Sequence, residues 1–236
     1  MFKIITQTDD FVVISKSAEV NFHDEGEHGA GLFSQVQHYL RQQFNIVELY
    51  PIHRLDKMTS GLLIFAKNSE SAKIFGKLFE AHKIEKYYLA ISDKKPIKKQ
   101  GLIKGDMAKS RRGMFKLMRT MDNPAITQFF SYSLGNNRRL YLLKPHSGKT
   151  HQLRVALSSI GAPIMGDSLY EPNSRTKLNS IADRGYLHAY ALRFEFLGKS
   201  YEFVLPPNEG ELFQSESFTE KLTEIKQPWL LNWPKV

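Results

Sequence analysis

Three short segments carry polar side chains where a plain hydrophobic core would not place them. The first is His53-Arg54-Leu55-Asp56-Lys57-Met58-Thr59-Ser60-Gly61-Leu62-Leu63, a dense polar loop that runs straight into an apolar stretch. Asp56 precedes Thr59, Ser60 and Gly61, whose hydroxyls and main-chain N–H groups can fix a carboxylate for chemistry. A turn aspartate that merely satisfies loop amides explains the same residues, and spacing alone favours that plainer reading.

The second segment is Lys144-Pro145-His146-Ser147-Gly148-Lys149-Thr150-His151-Gln152-Leu153-Arg154. It leaves a strand, turns at Ser147–Gly148 and enters a helix near Thr150. A helix N-terminus with Lys149 and Thr150 beside it can bind a phosphate, and in a helix Thr150 and Arg154 share a face. A solvated basic helix start is the bland alternative. The GxxxxGK of a Walker loop is missing. His146 and His151 have no cysteine and no carboxylate near them in sequence, so ordinary histidines are expected rather than a metal site. The third segment is Lys86-Tyr87-Tyr88-Leu89-Ala90. Strand alternation sends Tyr87 and Tyr88 to opposite faces, so one ring can be core while the other faces a pocket; both as ordinary strand formers is the alternative. No GxSxG elbow or GxGxxG loop occurs, and the clustered carboxylates of a two-metal nuclease are lacking.

The elements that must hold these segments can be read from periodicity. Short β-branched or aromatic runs predict strands at 2–6, 11–15, 62–66, 87–92, 126–134, 139–144, 186–196 and 201–205. Gly135-Asn136-Asn137 is a hairpin signal. Leu32, Val36, Tyr39, Leu40 and Phe44 recur at helical spacing, which predicts a helix over 31–44. Asn68 or Ser69 can cap a second helix carrying Ala72, Phe75, Leu78 and Phe79. A third is expected over about 151–160, ended by Gly161, and a fourth near 209–225. Strands outnumber helices and several are hairpin neighbours, so the expected class is α+β, a mixed, mainly antiparallel central sheet with flanking helices.

Composition narrows the function classes. The chain has 236 residues, enough for one large domain, and 42% are apolar, so a globular fold is expected. We read 1–236 as a single catalytic domain with a basic insert at about 94–119 and a tail at about 208–236. That insert holds ten Lys or Arg, among them Lys98, Lys99, Lys109, Arg111 and Arg112, and a single acid, Asp106. The whole chain carries a formal charge of +9, which favours a polyanionic partner. Cysteine is absent, which excludes a disulfide scaffold, a thiolate zinc site and a cysteine nucleophile. No apolar run approaches the ~18 residues of a membrane span, and MFKIITQTDD turns acidic too early for a signal peptide. A soluble cytoplasmic protein without membrane association is expected.

Together the three segments resemble the RluA-type family of RNA pseudouridine synthases. The family pattern HRLDxxTSGLLxxAK is matched by His53 to Lys67, HRLDKMTSGLLIFAK. Its K-x-Y-x-A strand is matched by Lys86, Tyr88 and Ala90. Its TGRTHQLRxHLxxxGxPxxGDxLY stretch is similar to Ser147 to Tyr170, SGKTHQLRVALSSIGAPIMGDSLY, and its LHAxxLxF element to Leu187 to Phe194. The departures are Ser17-Ala18-Glu19 after Lys16 where Pro-Ala-Gly is usual, Ser147 and Lys149 for Thr and Arg, and Ala156 for His. They touch substrate contacts and a local turn, not the presumed catalytic groups. The small N-terminal RNA-binding domain of many relatives is not expected, since the first catalytic-domain strand begins near residue 2.

The resemblance implies a pseudouridine-synthase-like fold and conversion of uridine in structured RNA, a tRNA or rRNA stem-loop, to pseudouridine. The C1′–N1 bond breaks, the uracil turns, and C5 bonds to C1′. Asp56 would be the catalytic carboxylate, attacking C1′, attacking the uracil, or taking the 2′ proton toward a glycal. Arg154 would pair with Asp56, keep it ionised and fix its direction with a planar fork. Tyr88 would pack on the uracil and help remove the C5 proton. Arg54 would fill the space left by the everted base. His53, Thr59, Lys149, Thr150, His151, Gln152 and Leu153 complete the implied substrate-binding set, and the five insert cations the RNA-gripping set. The isomerisation is redox-neutral, so no metal or organic cofactor is expected, and a monomer is the default. Two rivals remain: an RNA-binding module without activity, and a glycosidase that loses the base to water.

Overall fold

The computed structural model describes residues 1–171 and 182–236. Twelve strands and four α-helices occur among them, in the order β1 (Phe2–Gln7), β2 (Phe11–Lys16), α1 (Leu32–Phe44), β3 (Tyr50–Pro51), β4 (Ser60–Ala66), α2 (Ser69–Glu80), β5 (Glu85–Ser92), β6 (Gln100–Gly105), β7 (Met107–Lys109), β8 (Phe115–Leu117), β9 (Ala125–Gly135), β10 (Arg138–Pro145), α3 (Gln152–Ser159), β11 (Leu187–Phe196), β12 (Lys199–Val204) and α4 (Glu216–Glu224). Ten strands form one sheet in the order β1-β2-β4-β11-β5-β10-β9-β6, with β12 added on β11 and β3 on β4. All its pairings are antiparallel except β4 with β11, which run parallel where His188 faces Ser60 and Ala189 faces Gly61. The mixed, mainly antiparallel α+β architecture expected from the sequence is the one found.

The central strands are buried on both faces. Phe11, Val13, Leu62 and Ile64 point to one side and join Phe75 of α2 with Phe194 and Phe196. Phe75 stacks on Phe196 at 4.7 Å and meets Phe11 edge-on at 5.5 Å. Val12, Ile14, Leu63 and Phe65 point the other way, into a larger core with Leu32, Val36 and Leu40 of α1 and Leu153 and Leu157 of α3. Each such fully buried side chain contributes about 1.5–3 kcal/mol. Asn68 caps α2 by accepting from the Ser71 N–H at 2.8 Å. Asn136 and Asn137, both left-handed with φ of 48° and 59°, make the tight turn between β9 and β10.

Two local expectations need correction. The third helix starts at Gln152, because His151 takes a left-handed conformation (φ 56°) at its N-cap. Thr150 therefore lies outside the helix and does not share a helical face with Arg154. The basic insert is not one uniform loop. Its first part supplies β6, which pairs with β9 at the edge of the sheet, and its second part folds as the separate β7–β8 ribbon. Asp106, its one acid, closes the neck of that ribbon by accepting from the Asp122 and Asn123 N–H groups at 3.0 and 2.8 Å.

Candidate active site

The polar loop that carries Asp56 is held at both ends. Thr59 N–H donates to the Asp56 carbonyl at 3.0 Å, which closes the turn. The buried Lys16 ammonium donates to the carbonyls of Ser17, Lys57 and Thr59 at 3.0, 2.9 and 2.7 Å. Burial is the main reason that Lys16 titrates at about 8. Beyond the loop, Gly61 sits at φ 112°, and a Cβ there would stand 2.2 Å from the Ala189 carbonyl oxygen. Only glycine lets β4 approach β11 this closely. Ser60 is tied in as well: Arg184 Nη2 donates to its hydroxyl at 2.8 Å, and Ser60 Oγ meets His188 Nδ1 at 2.7 Å. His188 Nε2 in turn meets the Leu205 carbonyl at 2.8 Å.

The hydroxyls of Thr59 and Ser60 and the Gly61 N–H thus do not fix the Asp56 carboxylate, the chemical alternative that the sequence left open beside a plain turn aspartate. Its partner is Arg154, whose Nη1 donates to Oδ2 at 3.3 Å. The Asp56 side chain is about a quarter exposed (27%), the Arg154 side chain only 7%. Arg154 does not turn its fork on Asp56, as expected, but on Asp167. Nε donates to Oδ2 at 2.7 Å and Nη2 to Oδ1 at 2.8 Å, a bidentate pair with Asp167 wholly buried. Asp167 Oδ1 also accepts from the N–H groups of Leu169 and Tyr170 at 3.0 and 3.2 Å. The Tyr170 ring lies 5.1 Å from the guanidinium carbon.

Asp56, Tyr88 and Arg154 line one cleft of about 580 Å³, bordered also by Arg54, Lys86 and Thr150. Burial first and the Asp56 charge second raise the Tyr88 hydroxyl well above the usual tyrosine range. Tyr87 points away, toward Trp229 and Trp233 of the tail at 6.3 and 5.8 Å, which settles which tyrosine is core. A second cleft of about 660 Å³ borders the same Asp56–Arg154 pair, with Asn21, His23, Lys57 and Ser168 along it. Arg54 is exposed between the two, its Nη2 3.5 Å from the Thr150 hydroxyl.

The remaining implied substrate residues divide. Lys149 and Thr150 reach the cleft, and Leu153 adds an apolar wall while buried in the core. His151 Nδ1 lies 3.0 Å from the Tyr170 hydroxyl. Gln152 also borders the cleft, but its amide turns inward. Its Oε1 accepts from Ser147 Oγ and the Lys149 N–H, and its Nε2 donates to the Ile126 carbonyl and Thr127 Oγ1, so its amide braces the turn. His53 Nε2 accepts from the Ile64 N–H at 3.1 Å and its ring packs on Phe79. Burial, and then the Lys86 charge, lower His53 to about 3, so it is a neutral structural ring in the cleft wall. Thr59 is buried and serves the turn.

Lys98, Lys99, Lys109, Arg111 and Arg112 are all exposed. Lys98 and Lys99 precede β6, while Arg111 and Arg112 form the tip of the β7–β8 ribbon. That ribbon is docked on the site: the Phe115 N–H donates to the Tyr170 hydroxyl at 2.7 Å, and its ring meets His151 edge-on at 5.7 Å. Sequence reasoning gave no role to Asp167, Tyr170, Lys16 or Arg184. The first two stand in the stretch that resembles GDxLY, which was the available signal. Among the described residues no group of three or more His, Asp or Glu is placed to hold a metal ion, and no helix is long and apolar enough to cross a membrane.

Comparison with known proteins gives the class: residues 10–159 match the RNA pseudouridylate synthase family, and the chain belongs to it. It is 46% identical over 230 residues to an uncharacterised RNA pseudouridine synthase of Haemophilus influenzae, covering 97% of this chain and 98% of that one. It is 33% identical over 217 residues to tRNA pseudouridine synthase C of Haemophilus ducreyi, covering 81% and 84%. It is 35% identical over 190 residues to ribosomal large subunit pseudouridine synthase C of Rickettsia bellii, covering 79% of this chain and 61% of that one. Among solved structures, human RNA pseudouridylate synthase domain containing 1 is similar at TM-score 0.69 and 26% identity, covering 88% and 84%.

Proposed function

We propose that this protein isomerises uridine in structured RNA, a tRNA or rRNA stem-loop, to pseudouridine, with Asp56 as the catalytic carboxylate. One observation carries the reading: the Asp56 carboxylate reaches a cleft it shares with Tyr88 while a guanidinium held from behind donates to it at 3.3 Å. The cleft volume lies in the range of small-molecule sites, about 300–1,000 Å³, and suits a nucleoside everted from its stack. Arg54 fills the space the base leaves. The carboxylate stabilises or traps the sugar centre short of electrons as C1′–N1 breaks. Tyr88 offers its ring to the uracil. Its hydroxyl stays protonated, so it assists C5 proton removal through water rather than as a resting phenolate base. The protein acts as a cytoplasmic monomer, and names of relatives support both RNA classes.

The test uses C5-tritiated RNA from cells lacking this gene. Tritium release with pseudouridine in the digest supports the reading. Free uracil would make the protein a glycosidase, and binding without release a mere RNA-binding module. Pseudouridine mapping of the same cells against their parent identifies the target.

A further inference from the structure

Two lysines near the site are each lowered to about 8, with burial as the main cause. Their surroundings differ. Lys16 donates to three carbonyls and is fully used by the fold. Lys86 is 9% exposed and stands on β5 two residues before Tyr88, so both side chains leave the same face roughly 7 Å apart. Its Nζ lies 5.1 Å over the Phe79 ring. Among the described residues no carbonyl, hydroxyl or carboxylate accepts from it, and its Nζ is not sealed from solvent but lines the cleft. A largely buried ammonium that meets only cleft water has given up most of its hydration without a protein acceptor in return. An acceptor brought by a ligand in the cleft would complete its coordination.

The shared cleft says which part of the ligand this is. Asp56, Tyr88 and Lys86 all line it, and Lys86 leaves the same face of β5 as Tyr88. A uridine with its ribose at Asp56 and its ring on Tyr88 has its uracil beside Lys86, within reach of a carbonyl oxygen. We propose that Lys86 is a catalytic residue whose ammonium stabilises the negative charge that gathers on the uracil carbonyl oxygens as the C1′–N1 bond breaks. The bond's electron pair leaves with N1 and spreads over O2 and O4. C5 of that anion then bonds to C1′, the C5 proton is lost to solvent and N1 takes up a proton from solvent, so atoms and electrons balance without any co-reactant. A donor aimed at developing charge in a water-poor site is worth about 10²–10³ in rate.

This inference rests on the pseudouridine synthase reading and is tested beside it. Wild type, Asp56→Asn, Lys86→Met and Lys86→Arg are compared by single-turnover tritium release from the same labelled RNA pool, by RNA affinity across a salt series and by thermal melting. Lys86→Met is expected to lose at least about 10²-fold in rate with unchanged affinity and salt slope. Its melting temperature should hold or rise, because a desolvated charge is removed. Lys86→Arg should recover part of the rate. Lys86→Met within threefold of wild type, while Asp56→Asn is dead, overturns this inference alone. Weakened binding with a shallower salt slope and an unchanged bound rate means a phosphate contact and overturns it too. A fall in melting temperature that accounts for the lost activity makes Lys86 a packing residue. Silence of the wild-type protein on every RNA pool sinks the underlying reading, and this inference with it.

Discussion

Arg154 and Asp167 form a buried bidentate pair, with N–H···O distances of 2.7 and 2.8 Å. The fork that could grip the reactive carboxylate is thus occupied from behind, and Nη1 is the nitrogen that donates to Asp56. Asp167 is the reason that the guanidinium points where it does. Asp56 gains a cation beside it while part of its surface stays open to a substrate.

Asp56→Asn removes one charge and little volume. Turnover should fall by at least about 10³-fold, with melting temperature and RNA affinity close to wild type. Tritium release and filter binding check this; residual turnover within tenfold of wild type contradicts the role given to Asp56.

Asp167→Ala leaves Arg154 buried with a single carboxylate neighbour. Removing one partner of a buried pair costs about 3–5 kcal/mol, and the surviving interaction with Asp56 places this case at the lower end. Urea denaturation measures it. Turnover should drop further than affinity does, since the guanidinium loses its aim. A loss below about 1 kcal/mol speaks against the brace.

His188 is buried and neutral, accepting from Ser60 and donating to Leu205. Burial lowers it from 6.5 to about 4. Between those values the unfolded chain binds a proton that the folded one refuses. Stability is therefore complete above pH 6.5 and declines as pH falls toward 4, by roughly 3 kcal/mol at most. His53 acts in the same direction. Urea midpoints at pH 7.5, 5.5 and 4.5 should fall in that order, and less steeply in His188→Gln.

Gly61→Ala forces a Cβ into the Ala189 carbonyl at a φ that suits only glycine. We expect a loss of at least about 2 kcal/mol and reduced turnover from displacement of the Asp56 loop. An unchanged melting temperature contradicts the close approach.

Replacing Lys109, Arg111 and Arg112 together by Glu should weaken all RNAs alike and flatten the log–log salt slope by about 0.7–0.9 for each phosphate that the ribbon tip no longer engages. Binding across a salt series checks it; unchanged affinity makes the tip a solvated face.

Much of this arrangement was legible because it is local. The apolar runs Phe11 to Ser15 and Leu62 to Ala66, the Asn136–Asn137 turn and the Asn68 cap depend on near neighbours. Which of Tyr87 and Tyr88 is core was not local, since Trp229 and Trp233 arrive from the tail to decide it. The bracing by Gln152 was not legible because a polar residue at a helix start ordinarily faces water, and here its amide holds Ser147 and Ile126. Asp167 escaped notice because its task exists only once a turn brings it back to Arg154, 13 residues earlier. The helix start slipped because a left-handed His151 cannot be foreseen from propensity.

Asp56 and Arg154 are shared by two adjoining hollows rather than set at the bottom of one. A polymer can lie across them like a rope over a pulley, its two ends leaving on different sides. Such a seat makes no demand for a terminus: uridines deep inside a folded transcript are as reachable as terminal ones, and a covalently closed RNA ring bearing the target loop should be processed as readily as its linear form.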